Sequence, residues 1–187
     1  MSQTVQLKQV LSLMSFIFAK NFADAISADD LEKLPPSWIL KTKNPENEKG
    51  VNLWQKTIKE KNTQSIKDDF EALKNDFDLS NFGRIDEKKL EDFYSKLNFV
   101  KPFKELKATH ASNLLAFLGA ILKQDDNEQS HTLLGICLSE YCLPSIVLLA
   151  KKLQNDAKSD FYKAMGEFVI DYFKYIKEIL GLRAEIE

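Results

Sequence analysis

The chain has 187 residues, of which 44% are apolar and 29% charged, and its formal net charge is -2. The apolar share excludes wholesale disorder, and so near-neutral a balance gives no overall pull toward nucleic acid or an anionic membrane. No stretch reaches the roughly 18 to 20 uninterrupted apolar residues of a membrane-spanning helix, so no stable membrane insertion is expected. Backbone breakers are scarce, with six glycines and five prolines. Together with abundant Leu, Lys, Glu and Ala they predict an all-α fold, a single globular domain of about 9–11 helices.

In chain order, a first helix is expected over about Thr4 to Asn21. Lys8, the apolar stretch Val10 to Ala19 and Ala23-Asp24-Ala25 mimic a secretory signal with a small-x-small cleavage site. Ser12 and Ser15 interrupt that stretch, however, and Leu7, Leu11, Met14, Phe18 and Phe22 recur at steps of three and four, as one buried stripe of a helix does. The segment reads as a core helix of a cytoplasmic protein. Ser27 offers a cap for a short helix ending at Leu34, and Pro35-Pro36 stops it. Trp38-Ile39-Leu40 then supplies an apolar anchor for the core. Lys41 to Gly50 reads as a polar connection, followed by helices over Asn52 to Lys61, Thr63 to Asn75, and from the cap Asp86 to about Leu97. Pro102 marks a break.

A hinge is expected over 101–109, joining an N-terminal lobe (1–100) to a C-terminal lobe (110–187). Helices follow over Thr109 to Lys123 and Glu128 to Tyr141. Pro144 opens or kinks the next, and Ser159 caps a last helix whose apolar positions run from Phe161 through Met165, Phe168, Tyr172 and Phe173 to Ile176. Gly181 is its stop. No Val/Ile/Thr-rich alternation bounded by turns occurs, so no sheet is expected.

Chemistry is sparse. On an α-helix Cys137 and Cys142 stand about 140° apart, at about 100° per residue, a spacing that neither pairs them nor lets them share a metal. With two histidines in all, no zinc spacing arises. No phosphate loop, GxSxG or HExxH occurs. His110, just inside a helix start, reads as a cap or core-edge residue, with a catalytic base as the other reading, and Asp68-Asp69 and Asp125-Asp126 read as solvated pairs. No catalytic residue, metal or cofactor is expected. Charge is uneven along the chain. Lys41 to Lys67 carries a net +4 and Asp68 to Asp92 a net -5. An acidic region beside exposed Phe77 and Phe82 would suit a basic, apolar peptide.

The second half carries a resemblance. His110-Ala-Ser-Asn-Leu-Leu115-Ala-Phe117-Leu118 resembles the His-x-x-x-Glu-Leu-x-Phe-Met stretch of the TorD-like chaperones, the redox enzyme maturation proteins that include the DmsD and NarJ types. Leu138, Tyr141, Leu143 and Pro144 are similar to that family's Leu-x-x-His-x-x-Pro-Trp segment. Phe161-Tyr162-Lys-Ala-Met165-Gly-Glu-Phe168 is similar to its Phe-Tyr-x-x-Leu-x-x-Phe. Upstream, Asp69-Phe70-Glu-Ala-Leu73 resembles Asp-Tyr-x-x-Leu-Phe. The order of these segments covers nearly the whole chain. The departures are Leu114 for the family's Glu, Ser145 for its Trp, Lys74 for its Phe, and a hinge of which only His110 remains.

The resemblance implies a cytoplasmic chaperone for maturation of a molybdopterin-containing oxidoreductase, and no enzyme. Its partner would be the catalytic subunit or its twin-arginine signal peptide, held until the cofactor is inserted. The peptide contacts expected are Asp69, Phe70, Leu73, Asp76 and Phe77, with Thr109, His110 and Asn113 from the hinge. Paired arginines would meet the carboxylates, and an apolar helix would lie in a groove. A monomer or a domain-swapped dimer fits the hinge. The alternative is a helical protein-binding adaptor or regulator with no export client.

Overall fold

A computed structural model describes residues 3–125 and 127–181 of the chain; Asp126 lies outside the described residues. Among the described residues every regular element is helical. In order these are α1 (Gln3–Ala23), α2 (Ala28–Glu32), α3 (Pro45–Glu60), α4 (Thr63–Leu73), a 3-10 turn (Leu79–Phe82), α5 (Glu87–Lys96) and α6 (Ala111–Leu122). There follow α7 (Glu128–Ile136), a π-helical turn (Cys137–Cys142), α8 (Leu143–Asp156) and α9 (Asp160–Leu180). The fold is all-α, and its single β-type pairing among these residues is an isolated bridge between Asp78 and His110.

Most helix starts follow from local side-chain capping, in which a short polar side chain accepts an amide that the first turn leaves unpaired. Ser27 accepts from the Asp30 amide, Asp86 from Lys89 and Ser159 from Tyr162. Gly181 ends α9 in the left-handed conformation, at φ 61°. One boundary differs from expectation. The stretch from Pro45 to Gly50 is the opening of α3 rather than a connection, because Pro45 stands in the first turn, where its missing N–H costs nothing.

A second difference lies around Pro144. Helix continues without a break from Glu128 to Asp156, 29 residues, and by length and composition alone that run is apolar enough to cross a membrane; half of its most apolar window is buried. Pro144 has no N–H to give the preceding turn, and the turn before it widens to π-helical form.

The described chain divides into two compact units, neither of them a continuous stretch. The first comprises residues 1–23 and 76–146, the second 24–75 and 147–187. The lobes expected at 1–100 and 110–187 therefore each contribute to both units, and the segment 101–109 lies within the first.

In the first unit α1 packs on α6. Ser12 Oγ donates to the Gly119 carbonyl at 2.8 Å, which satisfies a buried hydroxyl at the contact. Met14, Phe18 and Phe22 are fully buried, as the stripe predicts. In the second unit α3 packs on α9. The Trp38 ring lies parallel to Phe168 with centroids 3.9 Å apart, and Trp54 meets Trp38 edge-on at 5.1 Å. Trp38 and Leu40 form the expected anchor, whereas Ile39 between them is 43% exposed. The buried carboxylate of Asp171 is held by three donors: Thr42 Oγ1 at 2.5 Å, Asn44 Nδ2 at 2.9 Å and Asn47 Nδ2 at 2.7 Å. Those bonds fasten the segment entering α3 to the middle of α9.

Candidate functional site

Asp69, Phe70 and Leu73 belong to α4 in the second unit. Asp69 is buried, and its two oxygens accept the Lys158 amide at 3.0 and 2.9 Å and the Ser159 amide at 2.6 Å. Ser159 in turn caps α9 through Tyr162. Asp69 thus occupies the electropositive start of α9, where an anion is favoured. Leu73 is buried in the core and Phe70 is half-buried.

Nearby in the same unit a cleft of about 250 Å³ is lined by Thr57, Asn62, Ser65, Lys158, Asp160 and Phe161, among others. Its charge is mixed and none of the eight residues singled out from the sequence lines it. It offers polar contacts but no nucleophile paired with a base.

Asp76, Phe77, Thr109, His110 and Asn113 belong to the first unit. Asp76 is half-buried. Phe77, expected on the surface, is fully buried: its ring stacks on Phe22 at 5.3 Å and lies 6.1 Å from the His110 ring. Phe82 is half-buried. The carbonyl of Phe77 accepts the Ala111 amide at 2.7 Å, and the Leu79 amide donates to the Thr109 carbonyl at 3.1 Å. These bonds hold the two segments side by side.

Asp78, which sequence reasoning passed over, is the centre of this arrangement. Its Oδ1 accepts the hydroxyls of Thr109 and Ser80, both at 2.7 Å, and its Oδ2 pairs with Lys107 Nζ at 2.8 Å. Burial alone would raise its pKa. The hydrogen bonds from Lys107, Thr109 and Ser80 outweigh that and hold it at about 2. The signal available in sequence was the Asp78-Leu79-Ser80 order, a side-chain turn in which Asp bonds the backbone two residues on.

His110 is the N-cap of α6, and its Nδ1 accepts the Ser112 amide at 3.2 Å. In the neutral ring the proton is then on Nε2. Burial pushes its pKa down to about 4, against a smaller opposing pull from Asp78. Asn113 secures the loop before the helix. Its Nδ2 donates to the carbonyls of Phe103, Leu106 and Lys107, and its Oδ1 accepts the Phe103 amide.

Six of the eight residues, Asp69, Leu73, Phe77, Thr109, His110 and Asn113, thus hold backbone or core in place. Phe70 and Asp76 remain partly accessible to a partner, each within its own unit. Comparison of the chain with protein-family models, with curated proteins and with solved structures returned no match.

Proposed function

We propose that this protein is a chaperone for a molybdopterin-containing oxidoreductase, holding the client by its twin-arginine signal peptide until cofactor insertion. One observation carries the reading. Two of the segments behind the resemblance, Asp69-Phe70 and Phe161-Tyr162, are far apart in sequence, yet Asp69 caps the start of the helix that Phe161 and Tyr162 open. The meeting of the two segments is what a shared family element would need. The all-α fold and the His110 cap at the start of α6 support the same reading.

The buried residues serve the fold, so the peptide is recognised by groups that reach solvent. In the acidic segment of the first unit those are Asp86, Glu91 and Asp92 at α5. Beyond α5 the apolar side chain of Val100 is 75% exposed. Carboxylates of this kind attract a guanidinium pair, each contributing roughly 0.2–1 kcal/mol in a salt-dependent way.

Calorimetric titration with synthetic twin-arginine leaders from the molybdoenzymes of the same cell tests the proposal. Micromolar binding to one leader is expected, weakened when the leader arginines become Gln. Glu91→Gln with Asp92→Asn is expected to weaken it roughly two- to tenfold without changing the thermal melt. A folded protein that binds no leader overturns signal-peptide recognition.

A further inference from the structure

Cys137 and Cys142 open and close the π-helical turn. In an α-helix residues five apart point in directions about 140° apart, and the sequence spacing accordingly argues against a pair. The wider turn brings such residues nearly one above the other, with N–H groups bonding five residues back. The two sulfurs here are 3.7 Å apart, in direct contact, and both side chains are fully buried. Tyr94, also buried, lies near both sulfurs.

Two chemistries suit a pair of thiols in contact, a soft metal ion and a disulfide. Two thiolates alone leave a zinc-like ion two ligands short of its tetrahedral set. Among the described residues no group of three or more His, Cys, Asp and Glu side chains is placed to hold a metal. A disulfide is neutral, and it removes two weak donors from the interior rather than adding charge.

We propose that Cys137 and Cys142 are a modification site, a reversible intrahelical disulfide formed by exchange with a small-molecule disulfide of the glutathione type. The sulfurs have to close from 3.7 Å to about 2.05 Å. One cysteine, as thiolate, attacks a sulfur of the small disulfide and releases one thiolate, leaving a mixed disulfide. The second cysteine, deprotonated in turn, attacks the protein sulfur of that mixed disulfide and releases the other thiolate. The two protons lost by the cysteines end on the two released thiols. The protein pair is oxidised by two electrons and the small disulfide is reduced by two.

Burial pushes the Cys142 thiol well up, and exchange therefore proceeds through local opening of the turn. A π-helical turn next to a proline is a reasonable place for such opening, since Pro144 withholds one backbone bond from it.

The wild-type chain carries the test, so no variant has to fold. It is equilibrated in glutathione buffers of rising oxidised share, quenched in acid, unfolded, treated with a maleimide and weighed by mass spectrometry. The folded chain is expected to pass from two alkylated thiols to none, as a monomer, in a buffer about tenfold less oxidising than the same chain needs in urea. Two thiols still alkylated in the most oxidising buffer would overturn the proposal. So would a folded chain that oxidises less readily than the unfolded one, or one that accumulates glutathione adducts or linked dimers instead.

Discussion

Asp69 and His110 are polar side chains that the fold has buried, and each loses something specific when its chemistry is altered. Asp69 accepts three backbone bonds from Lys158 and Ser159. Asn in its place presents an NH2 to at least one of those donors. Asp69→Asn is expected to cost about 1–3 kcal/mol, read as a lower urea midpoint at unchanged slope. A change below half a kcal/mol would mean that the cap is not needed.

His110 makes stability depend on pH. Its folded pKa of about 4 lies below the ordinary 6.5, so in acid the unfolded chain takes up the proton first. The contribution is complete above pH 6.5 and is lost as pH falls toward 4, up to about 3 kcal/mol in all. Asp78, held near 2 against an ordinary 3.8, adds a loss of the same sign at lower pH. His110→Gln is expected to flatten urea-derived stability between pH 6.5 and 4. A slope that survives the substitution would show that the buried imidazole is not its source.

At the scale of elements, α3 and α9 approach closely because Gly50 has no side chain. A Cβ there would stand 2.5 Å from the Phe168 ring, which is itself pressed against Trp38. Gly50→Ala improves helix propensity by about 1 kcal/mol, but the clash is larger, and a net loss of about 1–3 kcal/mol is expected. Gly135, in α7, meets nothing within 4 Å of an added Cβ. Gly135→Ala is therefore expected to stabilise by about 0.5–1 kcal/mol. Thermal melts of the two variants should move in opposite directions, and equal shifts would contradict the packing account.

The same scale shows where local reading worked. The caps at Ser27, Asp86 and Ser159 and the stop at Gly181 were legible because each is made by residues within one turn of the helix end. The burial stripe of α1 was legible because the 3.6 period is carried by the side chains themselves. The α3 start at Pro45 was misread as a connection, since Pro marks both turns and first helical turns.

At the scale of the molecule, each unit joins segments from both ends of the chain. The first needs α1 with α6, and the second needs α3 with α9. A cut in the segment 101–109 separates both pairs. Fragments 1–100 and 110–187 made alone are expected to show no cooperative unfolding, and mixing them should restore it, followed by near-ultraviolet circular dichroism. Cooperative folding of 110–187 by itself would mean that α9 does not need α3.

The amino-acid sequence by itself determined that this chain is all-α, where most of its helices begin and end, and which face of α1 and α9 is buried. Hydrogen bonds within a turn and a period of 3.6 residues are local properties, readable without knowing what packs on what. Only the tertiary structure decided that Phe77 is buried against Phe22, that Asp69 and Asn113 are spent on backbone amides and carbonyls, and that Asp78 gathers Thr109 and Lys107. It also decided that a widened turn brings Cys137 to Cys142. Apart from that turn, which is local but departs from the α-helical period, each of these depends on which distant segment fills the space beside a side chain, and no spacing along the chain encodes that neighbour.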